Sequence, residues 1–103
     1  MAHIRVREEE WSSLSDERQS EIIKIMRDTG LMREGDEIIP DPDAPSANTL
    51  RSPEGAAENV DPCIRECNRQ QIIAEGYCYG DATCIALMRA AGDACRRACR
   101  EGR

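Results

Sequence analysis

"DPCIRECNRQQIIAEGYCYGDATCIALMRAAGDACRRAC", residues 61–99, holds all six cysteines of a 103-residue chain. Their spacing is a palindrome. Cys63 and Cys67 are four apart, and so are Cys95 and Cys99; Cys67 and Cys78 are eleven apart, and so are Cys84 and Cys95. Asp61 supplies a capping side chain, and Pro62 needs no amide partner at the first helical position, so a helix starts here. Up to residue 79 only Gly76 works against it, at about 1 kcal/mol relative to Ala. "YGDAT" then supplies a break. Gly80 ends the first helix and Asp81 caps a second, from about 82 to 100, which Ala82, Ala86, Ala90, Ala91, Ala94 and Ala98 favour.

At 3.6 residues per turn, a step of four advances roughly 40° past one turn and a step of eleven roughly 20° past three. Cys63, Cys67 and Cys78 therefore share one stripe, and Cys84, Cys95 and Cys99 share another. An antiparallel fold at Gly80 and Asp81 brings the stripes together in a register whose paired positions sum to 162. That register predicts Cys63–Cys99, Cys67–Cys95 and Cys78–Cys84. Of the connectivities six cysteines allow, this nested one keeps straight helices in constant register. It also sets Ala74 opposite Met88, Gln71 opposite Ala91 and Gln70 opposite Gly92. Small residues in the seam let the helices approach closely enough for the bridges, whose Cα atoms must lie within about 7 Å. Such a seam buries little apolar surface, so oxidation is expected to be a condition of folding.

The rest of the chain differs in character. Residues 1–61 carry 15 acidic against 7 basic side chains and residues 62–103 carry 5 against 7, so an acidic front precedes a mildly basic rear. Three sections follow from composition: 1–40, a leader or small helical module; 41–60, a linker rich in Pro, Ser, Asn, Gly and Ala, whose "EGAA" is a weak cleavage-site candidate; and 61–103, the hairpin. In the first section Ser15, with Asp16 and Glu17, starts a helix over about 15–29 that Gly30 closes. Leu14, Ile22, Ile25 and Met26 share one side of it. "HIRVR" carries a weak strand signal and "GDEIIP" is a second strand candidate. The stripe is either the core of a minimal α or βαβ unit or a recognition segment for a processing or export machine. The fold class is thus mainly α: a C-terminal antiparallel helical hairpin with three nested disulfides behind an N-terminal helix with candidate flanking strands.

Charge and composition exclude several functions. Neither half is basic enough to bind nucleic acid, and Trp11, Tyr77 and Tyr79 are the only aromatic residues. No run has membrane-spanning length. "MAHIRVREEEW" turns acidic at once and lacks the apolar segment of a secretory signal, so an oxidising compartment would be reached without a classical signal peptide. A metal is not expected. Zinc on the two C-x3-C pairs would leave two cysteines over, and the only histidine is His3. No cofactor motif and no catalytic constellation is present. Ser12, Ser13 and His3 read as caps and surface, and the pairs Glu8–Glu10 and Asp41–Asp43 as solvated. An enzyme is not expected.

The twin C-x3-C and twin C-x10-C spacings, in "CIREC…C" and "C…CRRAC", resemble cysteine-stapled helical hairpins. The outer pairs resemble those of plant α-hairpinins, which are defence peptides or protease inhibitors. Cys67, Cys78, Cys84 and Cys95 resemble the frame of coiled-coil-helix-coiled-coil-helix proteins of the mitochondrial intermembrane space, although that frame has nine residues between paired cysteines rather than ten. The α-hairpinins have four cysteines and a shorter span. The resemblance covers about 40 residues and implies a disulfide hairpin. The overall layout also looks like a bacterial secreted-peptide precursor.

Two functional expectations follow. The first is a precursor whose acidic leader is read by export or processing machinery and whose hairpin is a secreted antimicrobial, toxin or signalling effector. The alternative is a non-enzymatic interaction or assembly module using the hairpin as a rigid scaffold. For either, Ile72, Ile73, Tyr77, Arg89, Arg96, Arg97 and Arg100 are the surface candidates for a protein or membrane target.

Overall fold

A computed structural model of the chain describes residues 3–44 and 61–102. "EGAA" and most of the expected linker lie outside these residues. The order of elements is β1 (His3–Arg7), α1 (Glu8–Ser12), α2 (Asp16–Asp28), β2 (Glu37–Asp41), α3 (Pro62–Gly76) and α4 (Ala82–Arg100).

The front is a βαβ unit. β1 and β2 pair in parallel, with His3 opposite Glu37 and Arg7 opposite Asp41. Parallel neighbours need a long crossover, and α1 and α2 provide it. Alternation along β1 sends Ile4 and Val6 inward, each almost fully buried, and leaves His3, Arg5 and Arg7 on the outer side. There Arg5 Nη2 meets Asp41 Oδ2 at 2.8 Å and ties the strand ends together. Ser15 caps α2 by accepting the Arg18 N–H. Gly30, at φ 82°, turns the chain out of that helix, and the N–H of Met32 satisfies the Met26 carbonyl. The short helix α1 was not anticipated: "EEEWS" has no apolar period, and its acidic first turn is the one helical signal it carries.

The rear is the expected antiparallel hairpin with the three nested bridges. Cys63–Cys99, Cys67–Cys95 and Cys78–Cys84 have Cα separations of 5.9, 5.8 and 5.5 Å. Asp61 caps α3 through the Cys63 N–H, and Asp81 caps α4 through those of Thr83 and Cys84. One boundary needs correction. α3 stops at Gly76, so Cys78 sits in the turn rather than on the helical stripe. Gly76 weakens the last turn, and Tyr79 and Gly80, at φ 52° and 82°, complete the reversal.

The seam also departs from strict mirror order. Ala74 and Met88 are both buried completely. Gln71, not Gln70, faces Gly92: a Cβ on Gly92 would overlap the Gln71 amide oxygen. Gln70 instead points at the end of α2, where a Cβ on Gly30 would lie 2.7 Å from Nε2. Helical side chains lean toward the N-terminus, so contacts across antiparallel helices fall diagonally from the bridged register.

α4 is the central element. It packs against α3, β1 and α2. This explains its alanines, since close approach on more than one side leaves no room for larger groups. Ile4, Val6, Ile22, Met26 and Leu31 of the front join Cys67, Ala74, Leu87, Met88, Ala91 and Cys95 of the hairpin in one hydrophobic cluster.

Candidate functional site

Among the described residues, the large apolar side chains that remain exposed all belong to α3 and the turn after it. Ile72, Ile73 and Tyr77 are 57, 40 and 53 % exposed on the outer side of α3 and its end, and Tyr79 in the turn is 89 % exposed. All three expected apolar surface candidates are therefore exposed, and Ile73 and Tyr77 share a groove. Helical spacing puts them there: Cys67, Gln71 and Ala74 turn inward, which leaves positions 72 and 73 outside, with Tyr77 four residues beyond Ile73. The C-terminal end of α2 forms the other wall. Ile25, Asp28 and Thr29 line a groove of about 390 Å³ together with Arg69, Ile73 and Tyr77. Its lining is mixed: Ile25, Ile73 and Tyr77 are apolar, and Asp28 and Arg69 supply one charge of each sign.

Arg69 is fixed by Glu66, donating from Nε at 3.1 Å and Nη2 at 2.5 Å. Those hydrogen bonds, with the accompanying charge attraction, hold the Glu66 carboxyl below the usual carboxylate range. Glu66 also accepts from Gln70 Nε2 at 3.2 Å. Arg69, the long side chain of the groove lining, thus has a fixed partner on its own helix.

The expected basic surface is different in kind. Arg96 is 1 % exposed, which corrects its assignment as a surface residue. Its Nη1 donates to Gln71 Oε1 at 2.7 Å and to Asn68 Oδ1 at 3.1 Å, across the seam. Gln71 in turn donates to Glu75 Oε2 at 2.7 Å. A buried cation is tolerable when its N–H groups meet acceptors, and the two amides provide them. Asn68, Gln70 and Gln71 are all buried. No signal in the sequence marks them, because each reads as an ordinary polar helix residue. Arg89 lies 3.7 Å from Glu75, and Arg97 lies 3.1 Å from Asp93. Arg100 is exposed in the last turn of α4. The basic end is thus partly neutralised within the hairpin.

Among the recognition candidates of the front, Ile22 and Met26 are fully buried. Leu14 and Ile25 are partly buried against the same core. A further tie between the halves comes from Arg18, which sequence reasoning missed: its Nη2 reaches Asp81 Oδ2 at 3.0 Å. Asp81 is held below the usual carboxylate range by the Cys84 N–H, then Arg18, and also the Thr83 N–H.

Three disulfides point to an oxidising environment for the folded chain. Among the described residues no helix is long and apolar enough to cross a membrane. No protein-family model, curated protein or solved structure matches the chain.

Proposed function

We propose that the chain works intact, as a non-enzymatic protein-interaction module whose docking surface is the Ile72–Ile73–Tyr77 patch and its groove. The single observation that carries this reading is the shared core. Ile22 and Met26, the residues a leader would offer to a processing enzyme, are fully buried in the cluster that contains Leu87, Met88 and Cys95. Removing the front would bare that side of α4. The front also forms a wall of the groove through Ile25, Asp28 and Thr29. A rigid frame with a few exposed aromatic and aliphatic anchors suits recognition of an apolar protein segment at low ordering cost.

One observation favours the precursor reading as well. All three bridges lie within residues 63–99, so a peptide released by a cut in the 45–60 region would keep its covalent frame. In that case the hairpin is a secreted effector, antimicrobial, toxic or signalling, and the acidic front is its leader. Intact mass of the native product separates the two. The full chain, six hydrogen atoms lighter than its reduced form, is the expected result. A native product beginning at about residues 55–61 would replace the module with the precursor.

A further inference from the structure

The two outer bridges stand side by side. The sulfurs of Cys63, Cys67 and Cys99 all lie within 4.8 Å of one another. Cys67 and Cys99 belong to different bridges, yet their Sγ atoms are 3.6 Å apart. A tetrahedral zinc ion with Zn–S of about 2.3 Å holds its sulfurs about 3.8 Å apart. The fourth sulfur, that of Cys95, lies outside this 4.8 Å group but is bonded to Cys67, with the Cα atoms of the pair 5.8 Å apart, so it must turn toward the other three once that bond opens. Each helix contributes two cysteines at i and i+4, hence on one face and one turn apart.

We propose that, when the two outer disulfides are reduced, Cys63, Cys67, Cys95 and Cys99 form a tetrathiolate site for a thiophilic d10 cation such as Zn²⁺. The inner pair does not take part. Cys78 and Cys84 lie at the turn, eleven residues from Cys67 and Cys95 respectively, roughly 16 Å along a helix. They are a separate bridge, which answers the objection that a four-cysteine site leaves two cysteines over.

The chemistry balances as follows. Two molecules of a dithiol reductant transfer four electrons and four protons to the two bridges and become disulfides themselves. Four Cys–SH groups then bind one Zn²⁺ and release four protons, which leaves a complex of charge −2. One cation lies in the same seam: Arg96, next to Cys95 in sequence, is buried and reaches across to Asn68 and Gln71 of α3. Cys67 and Cys95 are buried, while Cys63 and Cys99 are half-buried and give reductant and metal a way in. A metal clip would thus replace two covalent staples at the same place, and the hairpin would keep its shape in a reducing environment. The inference is independent of whether the chain is cut.

The test uses the full chain, reduced with a phosphine under anaerobic conditions so that no added thiol competes. Titration with Co²⁺ is expected to give one ion per chain, with thiolate-to-cobalt charge-transfer and tetrahedral d–d absorption that Zn²⁺ abolishes. Zn²⁺ should release four protons and restore helical circular dichroism lost on reduction. The Cys78→Ser/Cys84→Ser variant should behave identically, and Cys67→Ser/Cys99→Ser should lose the bands. Absence of the bands in the reduced wild-type chain, their loss in Cys78→Ser/Cys84→Ser, or their survival in Cys67→Ser/Cys99→Ser would each overturn the site. If the Cys67→Ser/Cys99→Ser chain is unfolded, the wild-type helicity with and without Zn²⁺ decides: no gain contradicts the proposal.

Discussion

Gly92 and Gly76 are both helical glycines of the hairpin, and they have opposite functions in the fold. Gly92 is where α3 and α4 come closest: an added Cβ would overlap the Gln71 amide, which is itself held by Arg96 and Glu75. Gly92→Ala should therefore lose about 1–3 kcal/mol of stability through overpacking. At Gly76 a Cβ meets nothing within 4 Å, and Gly76→Ala should gain about 0.4–1 kcal/mol by restricting the unfolded chain. Urea denaturation of the two variants reads both, and the expected shifts have opposite sign. Arg96→Ala strands two buried amide acceptors and should cost about 3 kcal/mol, measured the same way. At this scale the sequence revealed the cysteine partners but not the buried cation. Arg96, Arg97 and Arg100 look alike in a row of letters. Only the direction of Asn68 and Gln71 from the opposite helix decides which of them goes inside.

The hairpin turn depends on Asp81, which caps α4 and receives Arg18 from α2. Its carboxyl is held below the usual range in the folded state. The unfolded chain therefore binds the proton more readily, and the stabilisation from Asp81 is complete above the unfolded value of about 3.9. It is lost as pH falls through the lower folded value. Asp81→Ala should cost about 1 kcal/mol at neutral pH from the lost cap, and the gap from wild type should narrow in acid. Urea midpoints at pH 7 and pH 3 check this. The bridges differ by the loops they close. Removing Cys78–Cys84, with a sequence separation of 6, should cost about 2 kcal/mol, and removing Cys67–Cys95, which with Cys63–Cys99 intact closes a further ring of only about ten residues, about 2.7 kcal/mol in the chain-entropy model. Thermal denaturation of the two double-serine variants ranks them. Elements with capping signals were legible within a residue: Ser15 and Asp81 mark α2 and α4 correctly. α1 and the early end of α3 were not, because the first lacks periodicity and the second turns on how much a single glycine weakens a final turn.

In the whole molecule, the composition of the chain marks three sections, and the mirror of cysteines specifies the hairpin by itself. What composition does not carry is that Ile4, Val6, Ile22 and Met26 close over α4. An Ile/Met stripe looks the same whether it covers its own unit, a distant helix or a partner protein. The exposed patch on α3 was legible only by elimination, as the apolar side left over once the cysteine stripe was placed. Its groove was not legible at all, because one wall belongs to α2. Trp11 allows the shared core to be tested directly. It is the only tryptophan, it packs against the cluster from the front, and most of the helix lies in the hairpin. With disulfides intact, urea unfolding followed by Trp11 fluorescence and by far-ultraviolet circular dichroism should give one coincident transition. A Trp11 transition at lower urea, with helicity retained, would contradict a single core and leave two independent parts.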